Sequence, residues 1–145
     1  MPYKVLNGRR TAGAFRRFNG RKTLIGYVTL GTKDLAKAAV FYDSLLSGMG
    51  AKRTMDFDTF IAWGTESGPP NLSITQPFNK EPATVGNGVM VALAVKTPAE
   101  VDTLHAKALE LGAEDEGAAG PRGDHFYAGY FRDLDGNKLS FFCTR

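Results

Sequence analysis

The sequence predicts an α+β domain built from two βαβββ modules that pack on each other as a pseudo-twofold curved sheet with the helices outside. Three observations lead there. First, the chain repeats itself: YVTLGTKDLAKAAVFYDSLLSGMGAK (Tyr27 to Lys52) lies over MVALAVKTPAEVDTLHAKALELGAE (Met90 to Glu114), each a strand followed by a helix that ends near Gly-Ala. Second, a later echo sets Asn71-Leu72-Ser73-Ile74 over Lys138-Leu139-Ser140-Phe141. Third, short strand-like runs separate the echoes in both halves. Repetition at this scale means two copies of one supersecondary unit, each too small to close its own core.

In the first module the strand at Tyr27 to Leu30 leads to a helix that Thr32 or Asp34 can cap. Leu35, Ala38, Ala39, Phe41, Tyr42 and Leu45 give that helix an apolar face, and Gly50 ends it. Arg53 to Phe57 and Thr59 to Gly64 read as strands. TESGPP (Thr65 to Pro70) reads as a loop before the strand through Ile74. Pro77 to Asn87, rich in Gly, Pro and Asn, is the expected linker.

The second module opens with the strand after Gly88. Thr97 followed by Pro98 begins its helix, Val101, Leu104, Ala108 and Leu111 form the apolar face, and Gly112 ends it. Ala118 to Arg122 and Phe126 to Arg132 are the next strands. RDLDGNKLSFFC then reads as a tight hairpin, with Asp135 and Gly136 in its left-handed positions. Gly129 is a strand glycine where a neighbour approaches closely. The modules therefore cover about 24–76 and 88–145, a single domain over 24–145 preceded by a basic extension, 1–23.

Strand parity separates two faces. Val28, Leu30, Leu72, Ile74, Val89, Val91, Leu93, Leu139 and Phe141 are uniformly apolar and should lie under the helices. Tyr27, Thr29, Ser73, Thr75, Met90, Ala92, Ser140 and Phe142 form a mixed face, suited either to a ligand cavity or to a solvated sheet surface.

Composition bounds the function classes. The 145 residues are 43% apolar with no run approaching a membrane span, so no membrane role is expected. Residues 1–23 hold seven bases and no acid, whereas the remainder holds eleven bases against fifteen acids. A basic pI concentrated in a tail is not a nucleic-acid footprint, and no nucleic-acid partner is expected. The tail reads as an extension or as an arm for a partner chain or an anion. Cys143 is the only cysteine, which points to a packing residue in a reducing, cytoplasmic compartment.

The doubled module, YVTLGTKDLAKAAVFYDSLL and the ending YFRDLDGNKLSFF together resemble the vicinal oxygen chelate superfamily, the glyoxalase/bleomycin resistance fold that also includes extradiol dioxygenases. In metal-using members, ligands project from the first, fourth, fifth and eighth strands. Those positions fall here on Tyr27, Ser73, Met90 and Ser140, where the family usually has histidines on the first and fifth strands and a glutamate on the eighth. A phenol, a thioether and two hydroxyls are poor replacements for the hydration shell of a divalent ion. The expectation is a cup with no metal and no cofactor.

What remains is an aromatic cup. If the last hairpin sets Tyr130 opposite Ser140, then Phe126, Ala128, Tyr130, Ser140 and Phe142 share the inward face with Tyr27, and Trp63 could join them. His125, beside Arg122 and Asp124, sits where a rim base would stand, while His105 lies mid-helix. The resemblance implies a small-molecule-binding protein, a homodimer, that takes an aromatic or amphipathic ligand through Tyr27, Trp63, Ser73, Met90, His125, Tyr130, Ser140 and Phe142. The alternative it leaves open is a lyase, isomerase or dioxygenase, with or without a divalent metal.

Overall fold

The computed structural model describes residues 23–145, so the basic extension lies outside the described residues except for Thr23. Ten elements follow in the expected order: β1 (Tyr27–Gly31), α1 (Leu35–Ser47), β2 (Lys52–Phe57), β3 (Phe60–Thr65), β4 (Gly68–Thr75), β5 (Val91–Ala94), α2 (Pro98–Glu110), β6 (Glu114–Pro121), β7 (Phe126–Arg132) and β8 (Lys138–Thr144). Each βαβββ module forms one four-stranded sheet, ordered β1-β4-β3-β2 in the first and β5-β8-β7-β6 in the second.

The helix ends follow from local chemistry. Asp34 caps α1, its carboxylate accepting from Lys37 N at 3.0 Å, so of the two candidates the aspartate does the work. At α2 the Thr97 hydroxyl accepts from Glu100 N while the Glu100 carboxylate accepts from Thr97 N, a full capping box with Pro98 in the first turn. Lys96 N donates to the same carboxylate at 2.8 Å, and that bond first, with the one from Thr97 N, holds the Glu100 carboxyl below its usual range.

TESGPP is not wholly a loop, because Gly68, Pro69 and Pro70 belong to β4. The pairing of β4 with β1 starts only at Asn71, opposite Tyr27. The prolines therefore lie beyond the end of β1, and on their other side the pairing of β4 with β3 is interrupted by a register shift between Trp63 and Thr65. In the last hairpin only Gly136 takes the left-handed conformation, at φ +88°. Asp135 is spared because the Asp133 carboxylate braces the turn, accepting from Asp135 N and Asn137 N at 2.9 Å each.

The apolar face falls where parity put it except at Val89, which precedes β5 and is exposed, and at Val28, which is half-buried outside the core. Leu30, Leu72, Ile74, Leu139 and Phe141 are buried in one core with Phe41, Tyr42, Leu45, Leu46, Val101, Leu104 and Ala108 from the helices, and Val91 and Leu93 pack against it. Each such side chain contributes roughly 1.5–3 kcal/mol by leaving water. Helix α1 lies on the first sheet and α2 on the second, and the modules meet where α1 touches α2.

A polar latch joins the modules as well. The β7–β8 turn reaches across to the start of α1: Asp135 Oδ2 accepts from the Thr32 hydroxyl at 2.6 Å, and Asp135 Oδ1 from Lys33 N at 2.8 Å. Asn137 Nδ2 donates to Gly31 O at 2.9 Å. Beneath them the buried Tyr42 hydroxyl donates to Asp133 Oδ2 at 2.5 Å. Burial first, and then the adjacent Asp133 carboxylate, push the Tyr42 phenol well above its ordinary pKa. The turn that reads as a hairpin closure is thus also the clasp between modules.

The two sheets do not pair with each other. Strands β1 and β5, the edges that would join in one continuous curved sheet, make no contact within the chain. The helix contact and the latch hold the modules side by side without bringing β1 and β5 together.

Candidate functional site

The face of each sheet opposite its helix carries the chemistry. On the first sheet the register sets Thr29 beside Ser73 and Ser73 beside Ala62, so Tyr27, Thr29, Ser73, Thr75, Phe60 and Ala62 share the open side. On the second, Ala92 stands beside Ser140 and Ser140 beside Tyr130, with Phe142 opposite Ala128 one step on. The cross-strand pairing of Tyr130 with Ser140 is the one the hairpin implies.

The first sheet's open face is aromatic and hydroxylic. Tyr27 is 53% exposed and meets Phe60 edge to face with centroids 6.4 Å apart. Ser73 is fully buried and fully used: its hydroxyl donates to Val28 O at 2.9 Å and accepts from the Thr29 hydroxyl at 2.9 Å.

The second sheet repeats the backbone but not the bonds. Ser140 is 1% exposed, and its hydroxyl is the one buried side-chain polar atom without a partner among the described residues. The repeat supplies the reason. The residue matching Thr29 is Ala92, which has no hydroxyl to give.

Around Ser140 the face is aromatic with a basic border. Phe126 and Phe142 stack at 5.3 Å. The Arg122 guanidinium and the Lys138 ammonium each lie 5.5 Å from the Tyr130 ring centroid. Arg132 binds Glu116 through Nε and through Nη2, the latter at 2.8 Å, which holds the Glu116 carboxyl below its usual range.

One expected residue, Trp63, stands elsewhere, and Met90 and His125 lie just outside strand ends. Trp63 faces α1, not the cup: it is 2% exposed, packs on Tyr42 with centroids 5.5 Å apart, and donates Nε1–H to Asp43 Oδ1 at 2.8 Å. The parity of β3, which the sequence left free, is set by Trp63 pairing with Leu72 on the core side. Met90 is 42% exposed and precedes β5, which starts at Val91. His125 is exposed just before β7, and its backbone carbonyl accepts from Arg145 N at 2.9 Å. His105 is a core residue whose Nε2 sits 3.0 Å from Tyr130 O and 3.3 Å from Asp115 Oδ1. Its ring explains Gly129, where an added Cβ would lie 2.8 Å from His105 Cδ2.

Phe60 and Arg122 belong to the open faces and were not placed there by sequence reasoning. Phe60 follows from the β3 register, which no residue pattern announces. Arg122 reaches the face because β6 is bulged twice between Asp115 and Gly120, which breaks the parity a pattern could follow.

The donor set does not fit a divalent metal. The four positions where the fold would place ligands hold Tyr27, Ser73, Met90 and Ser140, and no three His, Cys, Asp or Glu side chains cluster suitably among the described residues. No helix among the described residues is long and apolar enough to cross a membrane.

Comparison with known proteins agrees with this architecture. The family model described as Glyoxalase/Bleomycin resistance protein/Dioxygenase superfamily matches residues 24–141. A glyoxalase/bleomycin resistance protein from Albidiferax ferrireducens T118 is 31% identical, with 83% of this chain and 98% of that one covered at a TM-score of 0.76. A hypothetical protein from S. aureus is 26% identical over 87% and 97% of the two chains, TM-score 0.66. A lactoylglutathione lyase from Agrobacterium tumefaciens shares the fold at 20% identity, 84% and 94% coverage and a TM-score of 0.63. No curated protein matches the chain.

Proposed function

Because the chain belongs to the glyoxalase/bleomycin resistance protein/dioxygenase superfamily, we propose that it binds a small aromatic or amphipathic molecule, without a metal, in a cup completed by a second copy of itself. The observation that carries this reading is the pair of open sheet faces. Each lines half a cup with aromatic rings and hydroxyls, and β1 and β5, the strands that would bring the halves together, do not pair with each other among the described residues. A homodimer that joins β1 of one copy to β5 of the other closes both edges and makes two cups. Exposed Tyr27, Val89 and Met90, on or next to those edges, supply the apolar surface for such a contact.

The ligand then meets Tyr27 and Phe60 from one copy and Tyr130, Phe142 and Ser140 from the other, with His125 and Met90 at the border. Aromatic walls with few fixed polar groups suit a planar or amphipathic ligand. The buried free thiol of Cys143 accords with a reducing, cytoplasmic setting.

The test combines three measurements on the full chain. Light scattering during gel filtration should give twice the chain mass. Metal analysis of protein purified without chelator should give far less than one ion per chain. A screen of small aromatic compounds should find ligands that raise the melting temperature, about 2.7 kcal/mol being available at a hundred times the dissociation constant. A monomer would remove the completed cup, and one tightly held metal per chain would favour the lyase, isomerase or dioxygenase alternative.

A further inference from the structure

Resting on that binding reading, we propose that the ligand is a planar organic anion, an aromatic or conjugated carboxylate, whose ring lies against Tyr130 and whose carboxylate is held by Arg122. The first ground is how Arg122 is held. Its guanidinium turns back over the bulged stretch of β6, with Nη2 donating to Ala118 O at 2.7 Å and Nη1 to Pro121 O at 3.1 Å. Two glycines make the room: a Cβ on Gly117 would stand 3.6 Å from Nη2 and 3.0 Å from the Tyr130 ring, and one on Gly120 would stand 3.3 Å from Nη1. The side chain is thus placed by backbone acceptors over an aromatic platform.

The second ground is charge. Backbone carbonyls occupy two of the five guanidinium donors, and no carboxylate lies within ion-pair distance of Arg122 among the described residues. Arg53 and Arg132, by contrast, are each tied to an acid. Glu116, on the same sheet as Arg122, is taken by Arg132. A cation that keeps donors free beside a flat ring selects a flat anion, since a guanidinium fork matches carboxylate geometry and the ring offers a stacking surface.

The third ground is Ser140, the cross-strand neighbour of Tyr130, whose hydroxyl has no partner in the chain. A buried hydroxyl without a partner is costly to keep. It is sealed from solvent in the unliganded chain, and in the proposed complex the anion's second oxygen gives the hydroxyl an acceptor.

Three probes of one shape separate the possibilities: 2-naphthoate, its neutral amide 2-naphthamide, and the cationic 2-naphthylmethylamine, each titrated calorimetrically into the full chain. The expected result is that naphthoate binds about tenfold or more tighter than the amide, the amine weaker than both, and that Arg122→Met removes the naphthoate advantage, weakening naphthoate far more than the amide. Arg122 is exposed and outside the core, so this variant keeps the fold. Ser140→Ala should weaken naphthoate severalfold and the amide by a smaller factor, because the charged acceptor makes the stronger bond. If the amide or amine binds as tightly as naphthoate, or the preference survives Arg122→Met, the anion assignment is overturned while the cup stands. Binding of none of the three at millimolar concentration overturns both.

Discussion

The internal repeat makes Ser73 and Ser140 controls for each other, and removing each hydroxyl should move stability in opposite directions. Ser73→Ala deletes the donor to Val28 O and the acceptor for the Thr29 hydroxyl, two bonds of 2.9 Å at a fully buried position. The expected loss is roughly 1–2 kcal/mol, a fall in melting temperature of about 4–8 °C for a domain of this size. Ser140→Ala deletes a hydroxyl that bonds nothing within the chain, and relieving that desolvated group should stabilise the unliganded protein by about 1 kcal/mol, or about 4 °C. Ala92→Thr tests the cause directly. It places in β5 the hydroxyl that Thr29 supplies in β1, so it should stabilise by about 1 kcal/mol, and the gain should vanish in the Ser140→Ala background. Urea and thermal unfolding followed by far-UV circular dichroism measure all four chains. If Ser140→Ala destabilises as much as Ser73→Ala, the Ser140 hydroxyl has a partner and the argument from the repeat is wrong.

Tyr42→Phe should cost roughly 1–2 kcal/mol in equilibrium unfolding near neutral pH, because it breaks the 2.5 Å bond of the inter-module latch; a cost near zero would show that the latch carries no stability. The same residue sets an alkaline limit. With its folded pKa raised above the ordinary 10.0, Tyr42 keeps a proton that the unfolded chain has lost, so its stabilising contribution is complete below that value and fades as pH rises through the folded pKa. The phenylalanine variant should lose less stability above pH 10.0 than the parent does, and parallel losses would refute this. Gly129→Ala should destabilise by about 1–3 kcal/mol, since its Cβ would crowd the His105 ring and the backbone of Ala119 at 3.2 Å; an unchanged urea midpoint would mean the ring yields freely. Combining Tyr27→His, Met90→His and Ser140→Glu should give a chain whose melting temperature rises with added Zn²⁺ or Ni²⁺ where the parent's does not, and a folded variant indifferent to both would show that these positions do not converge.

Much of the fold was legible because it is written in short-range patterns. The doubled strand and helix, the caps at Asp34 and Thr97, the glycine at 136 and the apolar parity of β1, β4, β5 and β8 are each decided by residues a few positions apart. The assignment of the family's ligand positions to Tyr27, Ser73, Met90 and Ser140 is an expectation from the same short-range patterns, and what those residues lack chemically is a property of residue type alone.

Tertiary structure decided what depends on register, bulges and contacts between modules. The side that Trp63 faces came from its pairing with Leu72, and Arg122 reached the face of Tyr130 only because the bulges of β6 shift the side-chain alternation. That RDLDGN is a clasp, that β1 and β5 do not pair with each other, and that one of two matching serines is without a bond among the described residues follow from distant residues meeting. A repeat in the sequence shows that two modules are alike. Which hydroxyl finds a partner, and which strands pair, is determined where side chains far apart in sequence come into contact.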